Sequence, residues 1–106
     1  MEEGKILIVD DDPVVRAVLS DILKTVGSYR TESAGDGLEG ITKIRESDYD
    51  IAFTDLTMPR ATGIDFLKET RKIRPHLPVV VITGHATVEN AINAMREGAR
   101  DFISKP

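Results

Sequence analysis

The chain has 106 residues, a formal net charge of −4, 41% apolar and 30% charged residues, and no cysteine. That is one domain's length, too apolar for disorder, and it excludes a disulfide framework, a thiolate metal site and a cysteine nucleophile. The acidic balance, with three Phe, two Tyr and no Trp, excludes the basic, aromatic-bearing surface that binds nucleic acid.

Strand-like and helix-like segments alternate along the chain. Ile6-Leu7-Ile8-Val9 is apolar without alternation, the pattern of a strand covered on both faces, and it ends at Asp10-Asp11-Asp12. Asp12 before Pro13 predicts an N-cap with proline at the first helical position. Val15, Val18, Leu19, Ile22 and Val26 then form a helical stripe that Gly27 is expected to cap. Tyr29 to Ala34 reads as a polar strand suited to a sheet edge. Asp36-Gly37 turns into a helix carrying Leu38, Ile41 and Ile44. Asp50 to Asp55 contains a central strand, Ile51-Ala52-Phe53, again ending in aspartate. After a loop from Pro59 to Gly63, Ile64, Leu67 and Ile73 mark a helix closed by Pro75. Val79 to Ile82 is the next strand, ending at Thr83-Gly84. Thr87 caps a helix bearing Val88, Ala91, Ile92 and Met95, and Asp101 to Lys105 is a fifth strand.

Strands separated by helical crossovers predict a parallel, doubly wound α/β sheet with right-handed connections and helices on both faces. Ligands of such sheets sit beyond the carboxyl ends of the strands, where strand order reverses. There the chain delivers Asp10, Asp11 and Asp12, then Asp55, Thr83 and Lys105. Clustered carboxylates need a counter-charge, and one lysine leaves them net negative. An all-oxygen site of that kind points to a hard divalent cation, Mg²⁺, which keeps room for a phosphate oxygen. Thr83 and Lys105 are placed to hold that phosphate, leaving a carboxylate free to act as nucleophile.

Over essentially its whole length the sequence resembles the receiver domains of bacterial response regulators. The matching residues are Asp10-Asp11, Asp55 within Thr54-Asp55-Leu56-Thr57-Met58-Pro59, Thr83-Gly84 and Lys105-Pro106. Val79 to Pro106 is most similar to receivers of the nitrogen-regulator type. The resemblance implies a flavodoxin-like strand order 2-1-3-4-5, one domain over 1–106, and Asp55 as acceptor of a phosphoryl group from a partner histidine kinase. It implies Mg²⁺ held by Asp10, Asp11, Asp55 and the Thr57 carbonyl, with Thr83 and Lys105 on the phosphoryl oxygens. Phe102 becomes the switch residue on the helix-four and strand-five surface, and the Lys105–Pro106 bond is expected to be cis. Such a module is a phosphoacceptor rather than an enzyme, although it assists its own phosphorylation and slow dephosphorylation.

Two features depart from the family pattern. Arg60-Ala61-Thr62-Gly63 stands where many receivers have a Gly-Met-Asp-Gly-like turn, and the fifth helix is missing. The first helix carries an apolar stripe broader than the ~100° needed to lie on a sheet. Its spare flank predicts a further helix beyond Pro106, or cover borrowed from another copy by dimerisation or swapping at the bare fifth strand.

Competing readings are a haloacid-dehalogenase-type phosphohydrolase, with Asp10 attacking and Asp12 as acid, a flavodoxin-like nucleotide binder, and a degenerate receiver used only for docking. His76 and His85 are expected at the surface, with His85 overhanging the site. No apolar run spans a membrane and Met1-Glu2-Glu3-Gly4 begins no signal peptide, so a cytoplasmic location is expected.

Overall fold

A computed structural model describes residues 4–58 and 60–105. The elements are β1 (Lys5–Val9), α1 (Pro13–Gly27), β2 (Arg30–Ala34), α2 (Gly37–Glu46), β3 (Ile51–Thr54), α3 (Gly63–Ile73), β4 (Val79–Thr83), α4 (Val88–Arg96) and β5 (Asp101–Ser104). All strand pairs are parallel, in the order β2-β1-β3-β4-β5. This is the doubly wound sheet expected, and the order reverses between β1 and β3. Among the described residues no helix is long and apolar enough to cross a membrane. The Lys105–Pro106 bond lies outside the described residues.

Burial explains the sequence patterns. Ile6 to Val9 are all nearly inaccessible because β1 has strands on both edges and side chains covered on both faces. Leu7, Val9, Ala52, Val79 and Val81 face a core completed by Ile41 and Ile44 of α2, Phe66 and Leu67 of α3, and Ala94 of α4. On the opposite face, Ile8, Phe53 and Ile82 line a crevice with Leu19 of α1. Three helices therefore share one face and α1 has the other.

The ends of the helices follow local rules, with one correction. Asp12, Asp36, Thr62 and Thr87 each cap a helix through the side chain, and Thr62 with Asp65 forms a reciprocal capping box. The left-handed residue after α1 is Ser28, φ 54°, and not Gly27. Gly27 is the last helical residue, and a Cβ there would run into the Tyr29 ring, so the small residue serves packing rather than a positive φ.

The broad stripe on α1 divides as predicted. Val15, Leu19 and Leu23 are half-buried, while Val14 and Val26 are 66% and 73% exposed, with Val18 and Ile22 about half exposed. On β5 at the sheet edge, Ile103 is also partly exposed.

Edge strand β2 is polar because its central residue anchors a charge network. Glu32 accepts a 2.7 Å hydrogen bond from the Tyr49 hydroxyl and pairs with Lys5 at 3.2 Å and Lys43 at 3.9 Å. The Lys5 ammonium stands 4.8 Å from the Tyr49 ring centre. The Tyr49 hydrogen bond foremost, then the lysines, hold the Glu32 carboxyl below its ordinary value of 4.5 against the opposing effect of burial. A depressed carboxyl stabilises the fold above its unfolded pKa and loses that contribution as pH falls through the lowered folded value. Tyr49→Phe is therefore expected to lower Tm at pH 7, with the gap to wild type narrowing as pH drops below about 4. A gap that stays constant across that range in melting curves would show that Glu32 ionisation does not carry the effect.

Candidate functional site

The carboxyl ends of β1, β3 and β4 and the residue after β5 converge at the switch point. Asp10 follows β1 and Asp55 follows β3, and their neighbours Val9 and Thr54 are register partners, so pairing alone sets the two aspartates side by side. Lys105 arrives from the sheet edge because Thr83 pairs with Ser104, and the Lys105 amide donates to the Thr83 carbonyl at 2.9 Å.

Lys105 Nζ bridges the two carboxylates, 2.9 Å from Asp10 Oδ2 and 3.2 Å from Asp55 Oδ2. Both aspartates are buried, at 3% and 7% exposure, whereas Asp11 is exposed. Burial by itself would push the lysine down, but the hydrogen bonds to Asp10 and Asp55 and their charges outweigh it and hold the ammonium above its ordinary pKa of 10.5. Backbone amides fix the remaining oxygens. Asp12 N donates to Asp10 Oδ1 at 2.9 Å, and Leu56 N donates to Asp55 Oδ1 at 2.7 Å.

One carboxylate oxygen from each of Asp10, Asp11 and Asp55 lies within 4.8 Å of the others. Three carboxylates against one ammonium leave the cluster negative and lined with oxygen, a donor set that fits Mg²⁺. Thr57 is exposed beside Asp55 on the same loop. Thr83 is fully buried, and its hydroxyl accepts from the His85 amide at 3.1 Å; no described contact brings it to Asp55. Phe102 is half-buried and packs against the core. Both histidines are exposed, as expected.

Two arginines that the residue pattern did not single out support the site. Arg16 of α1 donates from a guanidinium nitrogen to the Asp10 carbonyl at 2.6 Å. Arg60 reaches back to Asp36. A spacing of six residues, or of twenty-four, has no meaning until the chain is folded, so neither contact was legible beforehand.

In physical terms the class is a flavodoxin-like sheet with an acidic, oxygen-lined pocket at its switch point. The response regulator receiver domain family matches residues 6–106. The chain is 39% identical to chemotaxis protein CheY-3 of Vibrio cholerae over 104 residues, 96% of this chain and 80% of that protein. It is 36% identical to the transcriptional regulatory protein ZraR of Klebsiella oxytoca over 105 residues. That match takes in 99% of this chain but spans only about a quarter, 24%, of the length of ZraR. Among solved structures, the response regulator TrrA of Thermotoga maritima in complex with Mg²⁺ and BeF superposes with a TM-score of 0.87 at 26% identity, over 97% of this chain and 87% of that one.

The chain belongs to the response regulator receiver domain family. It is a phosphoacceptor module of two-component signalling, a class phosphorylated on aspartate.

Proposed function

We propose that Asp55 is the phosphoacceptor, taking its phosphoryl group from the phosphohistidine of a partner kinase. The observation that carries this reading is the Lys105 bridge between Asp10 and Asp55. It leaves Asp55 buried and ion-paired in a cluster that stays net negative, with one oxygen steadied by the Leu56 amide. An Asp55 oxygen forms the new O–P bond as the P–N bond breaks, and the imidazole leaves. Asp10, Asp11, Asp55 and the Thr57 carbonyl would hold Mg²⁺, as the donor chemistry fits and as TrrA was crystallised with Mg²⁺ and BeF. When bound, the cation neutralises phosphoryl oxygens in transfer.

The product adds a charge of about −1.5 to −2 at the site. Lys105 then transfers its contact from the free carboxylates to the phosphoryl group, and the Thr83 hydroxyl, which accepts from the His85 amide, turns to donate its proton to a phosphoryl oxygen. Phe102 follows into the space released, altering the surface of α4 and β5, where Val88, Ile92 and Met95 stand exposed. A phosphohydrolase using Asp10 and Asp12 is disfavoured because the Asp12 carboxylate, its required acid, is committed to capping α1 through Val14 N at 2.9 Å. The test is mass spectrometric mapping of the carboxylate labelled by acetyl phosphate with Mg²⁺. Label on Asp55 is expected; label on Asp10 would overturn the assignment.

As part of the same reading, residues 1–106 act as the receiver unit, and the exposed flank of α1 is covered in the working protein by a further amphipathic helix or by a second copy. The 106-residue chain alone is then expected to self-associate reversibly, and Ile22→Lys to weaken that association, in sedimentation runs across concentration. A monomer at every concentration would remove this proposal while leaving the phosphoacceptor assignment intact.

A further inference from the structure

Arg60 is one of two non-glycine residues with positive φ among those described, at 69°, a conformation that costs an ordinary side chain roughly 1–2 kcal/mol. The other, Ser28, closes a helix, which gives it a local reason. Arg60 has no such role. Its backbone sits in the loop between Asp55 and α3, and its side chain returns to Asp36, with Nε at 3.0 Å and a terminal nitrogen at 2.7 Å from Oδ2.

The receiving carboxylate is already committed. Asp36 Oδ1 accepts from Glu39 N at 2.9 Å and caps α2. That amide bond first, then Arg60, holds the Asp36 carboxyl below its ordinary value of 3.8 against some opposing burial. One side chain thus ties the start of α2 to the loop that follows Asp55. Close beside it, Gly37 packs so tightly on the Ala61 carbonyl that a Cβ would overlap it, and Ala61 is buried. At the far end of the loop, Gly63 N donates to the Leu56 carbonyl at 2.9 Å. The loop carrying Thr57 is therefore pinned at its base by the backbone and at its crown by a single ion pair. Strain at Arg60 persists because that pair and the Ala61 contact over-determine it.

We propose that Arg60 and Asp36 are positioning residues for the cation site. The pair holds the loop between Leu56 and Gly63 so that the Thr57 carbonyl is presented beside Asp55. Arg60 is 60% exposed in its side chain, so salt screens the pair, and cation affinity acquires an ionic-strength dependence beyond that of the carboxylates themselves. This rests on the assignment of Thr57 and Asp55 to the cation site made above.

The variants are Asp36→Asn, Arg60→Gln and the double substitution. Asn caps a helix about as well as Asp, so α2 keeps its cap, and Gln keeps the backbone demand at position 60. Mg²⁺ affinity is read by calorimetry at low and high salt, and exchange of the amides near Thr57 is read in metal-free protein. Each single variant is expected to bind Mg²⁺ about fivefold more weakly at low salt, to exchange those amides faster, and to show a smaller salt dependence than wild type. The double variant should be no worse than either single one, since the pair is lost only once. Equal affinity and equal exchange in wild type and single variants would overturn the proposal, as would fully additive losses in the double variant. If wild type itself fails to bind Mg²⁺, the cation-site assignment falls and the positioning role falls with it.

Discussion

Asp55→Asn is expected to abolish phosphorylation by acetyl phosphate and by any phosphohistidine donor, while the protein stays folded. The amide has no anionic oxygen to attack phosphorus, and its nitrogen would face the Lys105 ammonium 3.2 Å from the present Oδ2 position unless the side chain turned over. Turned over, the amide oxygen still accepts from Lys105, but the amide nitrogen opposes the Leu56 amide that now donates to Oδ1. Either way one favourable contact is lost without creating a void, so the fold survives. Intact mass after incubation with acetyl phosphate and Mg²⁺ should rise by one phosphoryl group in wild type and stay unchanged in Asp55→Asn. Labelling of the variant at the wild-type rate would place the nucleophile elsewhere, with Asp10 first in line.

Gly63→Ala carries the largest expected effect away from the carboxylates. A Cβ at Gly63 would overlap the Asp55 carbonyl oxygen and press on Leu56 Cα. These are backbone atoms, fixed by the bonds Asp55 N to Val9 O and Gly63 N to Leu56 O, each 2.9 Å, so they cannot retreat as a flexible side chain would. Overpacking of this kind costs ~1–3 kcal/mol, and each kcal/mol lowers Tm by about 4–8 °C for a domain near this size. Any shift forced on the Asp55 backbone also displaces its carboxylate relative to Lys105, so the phosphorylation rate should fall along with Tm. Gly84→Ala is the control, because nothing lies within 4 Å of the position its Cβ would take. Identical melting curves for the two variants would show that the approach of α3 to Asp55 is not limiting.

Contacts on which these expectations rest differ in how far they could be read from the chain. Asp10 and Asp55 were legible because each ends an apolar run, and a parallel sheet gathers such ends on one edge. Lys105 was legible for the same reason. Its bridging of both carboxylates was not, since that depends on β5 pairing with β4 and on the side chain crossing β3's end. A glycine at the end of the α1 stripe points to Gly27 as the left-handed cap, but Ser28 holds that conformation, and Gly27 is small because the Tyr29 ring packs against it.

By itself, the sequence determined the alternation of strands and helices, the caps at Asp12 and Thr87, and the acidic edge. These depend on periodicity and on side chains acting within a few residues of themselves. Only the tertiary structure decided that three helices share one face, that Lys105 bridges Asp10 and Asp55, and that Arg60 bends backward to Asp36. Each of those outcomes is set by where remote segments pack against one another, and pairing between distant side chains has no signature in local composition.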